Sequence, residues 1–306
     1  MQMEKKRHHH YIWRYYLRSW ATDGKIACLM EGKIFESNLM GIGQKRDFYK
    51  LNELNSNDLS FIKRLAIDSS PKHLQNSHLN LVKQFNLVFR LRDELKSKGV
   101  DEPKLNKLLD VTIHNLEENL HADIENKAIK YINSILREDI EFYNTDIGYT
   151  EFIYFLCVQL MRTEKIRKST VKGVGPIEGI DFEKIWNVLS HIFAKNMGWN
   201  FYANRELHKM TLLKNETTKE LITADQPVIN TYATIGASTA PIENVELYYP
   251  VSPRIAILVS EKEGYKGISK KLLSENDVVS YNNQIVKNSH KQVYGTSLSV
   301  LEEYYR

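Results

Sequence analysis

Glu125 is a candidate for chemistry because it lies on the apolar side of a segment with helical periodicity. The segment covers residues 116–140, and Ile132 follows Glu125 by seven residues, which places both on the same flank of a helix. A carboxylate on an apolar flank needs a partner or acquires a raised pKa, as acid–base catalysts do. Two interpretations remain open: a functional carboxylate, or an edge residue paired with His121 or Lys130.

Gln159 and Arg162 form a second candidate pair, three residues apart at the end of the apolar segment 152–158. Apolar residues on nearly all sides of that segment indicate a central, buried helix. Burying either side chain without partners is costly, so the pattern predicts a polar network in which Arg162 binds a carboxylate or phosphate through two parallel hydrogen bonds. The alternative is a structural Arg–Glu pair that fastens two helices together.

Asp225 is the third candidate, within the sequence Thr-Ala-Asp-Gln-Pro-Val of residues 223–228. Pro227 holds Gln226 extended and ends or edges a strand, so Asp225 is expected at a strand end, where ligand-binding residues are common. On spacing alone, an Asx turn that satisfies the local backbone is the favoured interpretation. Asn283 belongs to a polar face of the last predicted helix, which by itself is typical of a solvated surface.

The start of the chain mixes cationic and aromatic side chains. Five cations, Lys5, Lys6, Arg7, Arg14 and Arg18, are interleaved with Tyr11, Trp13, Tyr15, Tyr16 and Trp20. Such a mixture is suited to a surface that binds phosphates and stacks bases. An amphipathic first helix, with its aromatic rings in the core and its arginines in water, is the favoured alternative.

These residues must be positioned by an α+β fold with a helix-rich middle and strands toward both ends. The pattern predicts a short helix from His10 to Ala21, then a hairpin in which residues 25–30 and 33–36 flank Glu31-Gly32. The region 57–198 is helical, with Asn57-Asp58 as its first cap.

Short strands are expected in the region 209–260, at residues 210–214, 220–229, 245–249 and 254–259. A last helix is predicted over residues 274–294, with Gly295 as its stop. The N-terminal helix and hairpin occupy residues 8–50. Because strands from the two ends can share one small mixed or antiparallel sheet, we interpret residues 1–306 as a single domain.

Composition excludes several classes of protein. Hydrophobic residues make up 42% and charged residues 26% of the 306 residues, which excludes a disordered or collagen-like chain. Cys28 and Cys157 give no metal spacing, so we expect two reduced, buried thiols. We find no secretory signal and no membrane-spanning segment, which predicts a cytoplasmic protein without a membrane partner. A net charge of +4 does not demand a polyanionic partner.

Several short motifs, taken in order, resemble the prokaryotic family known as domain of unknown function 4238. The segment His9-His10-Tyr11, followed by Tyr16-Leu17, is similar to the opening signature of that family. Ile124-Glu125, the Gln-x-x-Arg-Thr end of the apolar helix and the strand around Asp225 are similar to later motifs. Residues 249–253 resemble its Pro-Leu-Ser-Pro element, and Asn283 stands where a tail-helix asparagine is expected.

The departures from the family pattern are small. Trp13 stands where proline is common, and Ala224-Asp225-Gln226 replaces Ser-Asp-Asn, which removes a serine hydroxyl. The resemblance implies a fold and a set of candidate residues but no reaction. Members of the family are suspected of acting in bacterial conflict or phage defence, and this chain is expected to share that context.

The leading hypothesis is a nucleic-acid-directed phosphodiesterase, a nuclease-like effector, with four catalytic residues in one pocket. His10 would act as general acid or base, Glu125 and Asp225 would hold a proton or a divalent metal, and Arg162 would stabilise charge on phosphorus. The expected binding residues are Arg14, Gln159 and Asn283. No PD-(D/E)xK or HNH spacing is present.

The alternative hypothesis is a non-catalytic binding or sensor module whose polar core is structural. A small-molecule transferase or hydrolase is a third class, but the sequence contains no cofactor fingerprint and no nucleophile elbow. Neither the oligomeric state nor a metal requirement follows from the sequence.

Overall fold

The computed structural model describes residues 4–232 and 245–305, which form an α+β fold with a helical middle. Residues 233–244 of the predicted strand region lie outside the described part. The helices are α1 (Arg14–Leu17), α2 (Ser56–Ile62), α3 (Lys72–Ser97), α4 (Pro103–Leu136), α5 (Asp146–Met161), α6 (Glu164–Val174), α7 (Phe182–Ala203), α8 (Glu275–Asn288) and α9 (Leu298–Glu302). The strands are β1 (His8–His10), β2 (Lys25–Met30), β3 (Lys33–Asn38), β4 (Gln44–Arg46), β5 (Lys209–Lys214), β6 (Thr223–Ala224), β7 (Ile229–Asn230), β8 (Leu247–Ser252), β9 (Ile255–Ser260), β10 (Lys270–Leu272) and β11 (Gln292–Gly295).

Strands from both ends of the chain share one sheet, as the sequence predicts. The hairpin β2–β3 turns at Glu31 and Gly32, whose φ values of 50° and 70° fit the tight turns that match strand twist. Its sheet has the order β3-β2-β11-β6, and β11 pairs antiparallel with both neighbours. A second sheet has the order β10-β5-β9-β8-β7, and β1 pairs with β4 separately.

The predicted first helix is wrong over its first residues. His8–His10 is a strand that pairs with Gln44–Arg46, and the helix begins only at Arg14, continuing as a 3₁₀ turn over Arg18–Trp20. Because the pairing partner of His8 is Arg46, far along the chain, local periodicity does not reveal it. The strand fixes where His10 points, which matters for the candidate site.

The predicted last helix is too long. It starts after Ser274, as expected, where Ser274 and Asp277 form a capping box, but it ends at Asn288, and Gln292–Gly295 is a strand. This strand pairs with the edge of β2. The tertiary pairing outweighs the local preference of these residues for a helix. The predicted strand 220–229 is also reduced to the short β6 and β7 around Pro227, because proline cannot donate to a strand ladder.

Helix α5 is the centre of the helical region and is buried on nearly all sides, as predicted. It packs against α4 and α7, and it carries the buried Cys157. Cys157 and Cys28 are both buried free thiols. Helix α2 starts slightly earlier than predicted, because Asn55 is its cap and Asp58 completes the capping box. No described helix is long and apolar enough to cross a membrane.

Candidate functional site

An open cleft of about 870 Å³ lies between the N-terminal segment and α4. Strand β1 and helix α1 supply one wall, and α4 supplies the other with Glu118, Ala122 and Glu125. Leu39 and Met40, which follow β3, also line the cleft. The cleft therefore brings the predicted N-terminal surface and the predicted helix carboxylate to one place.

The mouth of the cleft is cationic and aromatic. Lys6, Arg14 and Arg18 are exposed there, and Trp13 and Tyr15 are half-buried among them. The Arg18 guanidinium lies over the Tyr15 ring, with 5.5 Å from its central carbon to the ring centroid. Arg14, a predicted binding residue, thus lines the cleft. The favoured view of an amphipathic segment, with aromatic rings in the core and arginines in water, also fits, since Tyr16 and Trp20 are buried while Arg14 and Arg18 are exposed.

Arg162 organises the floor of the cleft. It lies at the C-terminal end of α5, is 3% exposed, and directs Nη1 to Glu125 Oε1. Its Nε donates to the Tyr49 hydroxyl at 2.8 Å, and its Nη2 donates to the His10 carbonyl at 2.6 Å. The partner of Glu125 is therefore Arg162, and neither His121 nor Lys130 pairs with it. This pair fastens α4 to α5.

Opposing effects set the protonation of this pair. Burial raises the pKa of Glu125, and the Arg162 charge beside it acts in the opposite direction. Burial disfavours the charged form of Arg162, but Tyr49, Glu125 and Glu118 raise its pKa above the ordinary value. The guanidinium is therefore a fixed positive charge that needs a carboxylate beside it.

His10 offers an imidazole to the cleft. Its Nε2 is buried and makes no hydrogen bond to any described residue. Burial, followed by the positive charges of Arg14 and Arg162, lowers its pKa to about 4. Its backbone N–H donates to Glu118 Oε1 at 3.4 Å. At neutral pH this imidazole is uncharged and can accept a proton.

Asp225 lies away from the cleft. Its carboxylate accepts the backbone N–H groups of His290 and Lys291, each at 2.7 Å, and of Gln292 at 3.1 Å. Burial raises its pKa, and these three donors act against that rise. The favoured Asx turn is wrong, since the bonded backbone lies more than sixty residues further along the chain. Neither oxygen lines the cleft with Glu125.

The two remaining predicted binding residues take different positions. Gln159 is 2% exposed, and its amide opposes the rise that burial causes in the pKa of Glu125, although its Nε2 has no hydrogen-bond partner among the described residues. Asn283 is exposed on α8 and does not line the cleft. The buried asparagine of α8 is its neighbour Asn282, which binds the backbone of Ile222.

A second polar cluster lies beside the cleft and was missed by the sequence reasoning. Glu117 and His121 on α4 and His191 on α7 bring one ligand atom each to within 4.8 Å of one another. All three are buried, and His121 also lines the cleft. The available signal was the spacing of four residues that joins Glu117, His121 and Glu125 on one helix face. Neither Glu125 nor Asp225 belongs to this cluster.

Comparison with known proteins identifies the family. A family model described as Protein of unknown function (DUF4238) matches residues 8–299. The chain belongs to this family. The match extends from the first residue of β1 into α9, so the candidate residues of this DUF4238 protein all fall inside it. Neither a curated protein nor a solved structure matches the chain.

Proposed function

We propose that the protein is a nucleic-acid-directed phosphodiesterase whose substrate lies in the cleft between the N-terminal segment and α4. The observation that carries the proposal is the imidazole of His10, which lines a cleft with cationic and aromatic residues and whose Nε2 has no hydrogen-bond partner among the described residues. A buried polar atom without a partner in a native protein calls for an explanation, and a reacting ligand provides one.

Each part of the cleft has a task in this proposal. Lys6, Arg14 and Arg18 neutralise backbone phosphates, and Trp13 and Tyr15 stack on bases. Nε, Nη1 and Nη2 of Arg162 each donate to a protein acceptor, so its task in this proposal is to position His10 and Glu125. Direct stabilisation of charge on phosphorus by Arg162 stays a prediction.

His10 serves as the base in the reaction. Its neutral imidazole takes a proton from a water molecule or a sugar hydroxyl as that oxygen forms a bond to phosphorus. The bond from phosphorus to the leaving oxygen breaks, and the leaving oxygen takes a proton from water in the open cleft. The proton on His10 then returns to solvent, so atoms and charge balance.

A binding or sensor module is the second candidate function. It is favoured by the complete set of protein partners around Arg162 and Asp225, which is what a structural polar core requires. In that case the cleft binds a polyanion without cleaving it. Measurements of binding and cleavage on the same variants separate the two functions.

The decisive substitution is His10→Gln, assayed on labelled single-stranded and double-stranded RNA and DNA with Mg²⁺, Mn²⁺ or Zn²⁺. Loss of the base is expected to lower kcat by about 10²- to 10⁴-fold while substrate binding stays within a few-fold. The wild-type pH profile should lose activity on the acid side near pH 4, well below the ordinary histidine range, because the pKa of His10 is lowered to about 4. Arg14, Arg162 and His8 are the charged or titratable groups that act on this imidazole, and Glu118 accepts a hydrogen bond from the His10 backbone N–H.

His208→Gln is a matched control, since His208, like His10, has a ring nitrogen without a hydrogen-bond partner among the described residues and a pKa lowered chiefly by burial. It does not line the cleft, so its activity should equal wild type. Full activity of a folded His10→Gln variant overturns the proposal. If the wild-type chain binds nucleic acid but cleaves none of these substrates, the binding or sensor module replaces the phosphodiesterase as the proposed function.

A role in phage defence or toxicity is part of this proposal and rests on the family resemblance. Cells that express the wild-type chain are expected to restrict phage plating or to grow slowly, and His10→Gln is expected to abolish that effect. Equal phage plating and equal growth for the two chains would contradict a role in phage defence or toxicity, while the proposed reaction would still be tested in vitro.

A further inference from the structure

We propose that Glu117, His121 and His191 form a binding site for a divalent transition-metal ion, and that Zn²⁺ fits this set best. The inference goes beyond the proposed function and does not depend on it, since metal binding is measured without any substrate. Two imidazoles and one carboxylate are a recurrent protein ligand set for zinc, in which a fourth position stays open.

The two distances between the carboxylate and the imidazoles fit a common central ion better than direct hydrogen bonds, and all three ligand atoms lie within 4.8 Å of one another. Glu117 Oε1 lies 3.7 Å from His121 Nε2 and 3.4 Å from His191 Nε2. A tetrahedral ion with bonds of about 2.0–2.1 Å places its ligand atoms about 3.3 Å apart. An N–H···O hydrogen bond would bring these atoms to about 2.9 Å.

The ring nitrogens give an independent indication. Nε2 of His191 and both ring nitrogens of His121 are buried and make no hydrogen bond to any described residue. His121 is 2% exposed and His191 is 3% exposed. Buried polar atoms are almost always satisfied by protein, water or an ion, and here two of them point toward one carboxylate oxygen.

Asn187 orients the carboxylate. Its Nδ2 donates to Glu117 Oε2 at 2.6 Å, which leaves Oε1 as the oxygen that faces both imidazoles. Asn187 stands one helical turn before His191 on α7, so one helix supplies a ligand and the group that positions another ligand. Outer partners of this kind are usual at protein metal sites.

The ligand chemistry separates the metals to be tested. Imidazole suits Zn²⁺, Co²⁺ and Fe²⁺, whereas Mg²⁺ and Ca²⁺ require oxygen ligands. We therefore expect Zn²⁺ and Co²⁺ to bind and Mg²⁺ to leave the cluster empty. Binding of Mg²⁺ in preference to Zn²⁺ would overturn the proposal.

The test uses the full chain without an affinity tag, stripped with a chelator and titrated with Zn²⁺ by calorimetry and with Co²⁺ by visible absorption. One equivalent is expected, with the intense d–d bands of four-coordinate Co²⁺. Glu117→Gln and His191→Gln should each weaken binding by more than about 100-fold, and Asn187→Ala should weaken it by about 10- to 100-fold.

His78→Gln is the matched control, because His78 is equally buried between α3 and α7 but binds Asn196 and belongs to no such cluster among the described residues. His8→Ala removes the exposed imidazole of the His8–His10 run and tests for adventitious surface binding. Retained affinity in Glu117→Gln, or abolished affinity in His78→Gln or His8→Ala, overturns the site. If the ligand variants do not fold, anomalous density in zinc-soaked wild-type crystals tests the site. A peak among Glu117, His121 and His191 supports the proposal, and a peak only elsewhere contradicts it.

Discussion

Arg162 shows how a single residue connects the core to the cleft. Its guanidinium binds Glu125 on α4, the Tyr49 hydroxyl and the carbonyl of His10, and it is almost completely buried. Because the buried guanidinium of Arg162 keeps its proton, the stability of the folded protein depends on the Glu125 carboxylate beside it. The structural and the functional interpretations of the pair are therefore both compatible with its position, and energetics must separate them.

Replacement of Glu125 by Ala leaves the Arg162 charge buried without its partner. The free energy of unfolding is expected to fall by about 3–5 kcal/mol, and the double variant Glu125→Ala, Arg162→Met should recover much of that decrease. Equilibrium unfolding in urea measures both changes.

Glu94→Ala serves as the control, since Glu94 forms an exposed ion pair with Lys98 on α3. Its midpoint in urea should match wild type. A Glu125→Ala variant as stable as Glu94→Ala would show that Arg162 does not require the carboxylate.

At the scale of secondary structure, Asp225 joins β6 and β11, two strands that lie far apart in the sequence. It follows β6 directly, and its carboxylate binds the three backbone N–H groups that lead into β11. Its own N–H donates to the Gln292 carbonyl at 2.9 Å. These bonds hold β11 between β2 and β6.

Asp225→Asn is expected to destabilise the protein by about 1–3 kcal/mol. The substitution replaces one carboxylate oxygen by an NH₂ group, which cannot accept a hydrogen bond from the backbone N–H groups that face it. Hydrogen exchange of the amides of residues 290–295 should accelerate more than that of α5. Asp277→Asn, at the exposed cap of α8, is the control with a smaller effect. If cleavage is abolished in Asp225→Asn while exchange is unchanged, the carboxylate acts in catalysis as the sequence hypothesis holds.

At the scale of the whole molecule, the net charge of +4 says little, but its distribution concentrates cations at the cleft mouth. Such a local positive field attracts polyanions through release of their counterions. The interpretation of residues 1–306 as a single domain stays a prediction, although the shared sheet is the arrangement that it requires.

The double variant Arg14→Glu, Arg18→Glu should weaken nucleic-acid binding by at least about tenfold. On a single strand, the slope of log affinity against log salt should decrease by about 0.7 for each phosphate that the variant no longer neutralises. Fluorescence anisotropy across a salt series measures both quantities. Lys33→Glu on the exposed hairpin is the control, and equal weakening in the two variants would place binding outside the cleft.

The sequence alone was sufficient for elements whose signals are local. The hairpin around Gly32 follows from its turn chemistry, α5 from its continuous apolar surface, and the start of α8 from the Ser274 cap. The sequence also indicated that Glu125 and Arg162 need partners, because isolated charges do not persist in apolar surroundings.

Only the tertiary structure decided which partners these residues take. The pairing of Glu125 with Arg162, the binding of Asp225 to residues 290–292, and the meeting of His191 with Glu117 all join distant parts of the chain. Strands β1 and β11 likewise form because an edge elsewhere accepts them. Such contacts depend on packing between elements, and periodicity in one segment carries no information about which distant segment will lie against it.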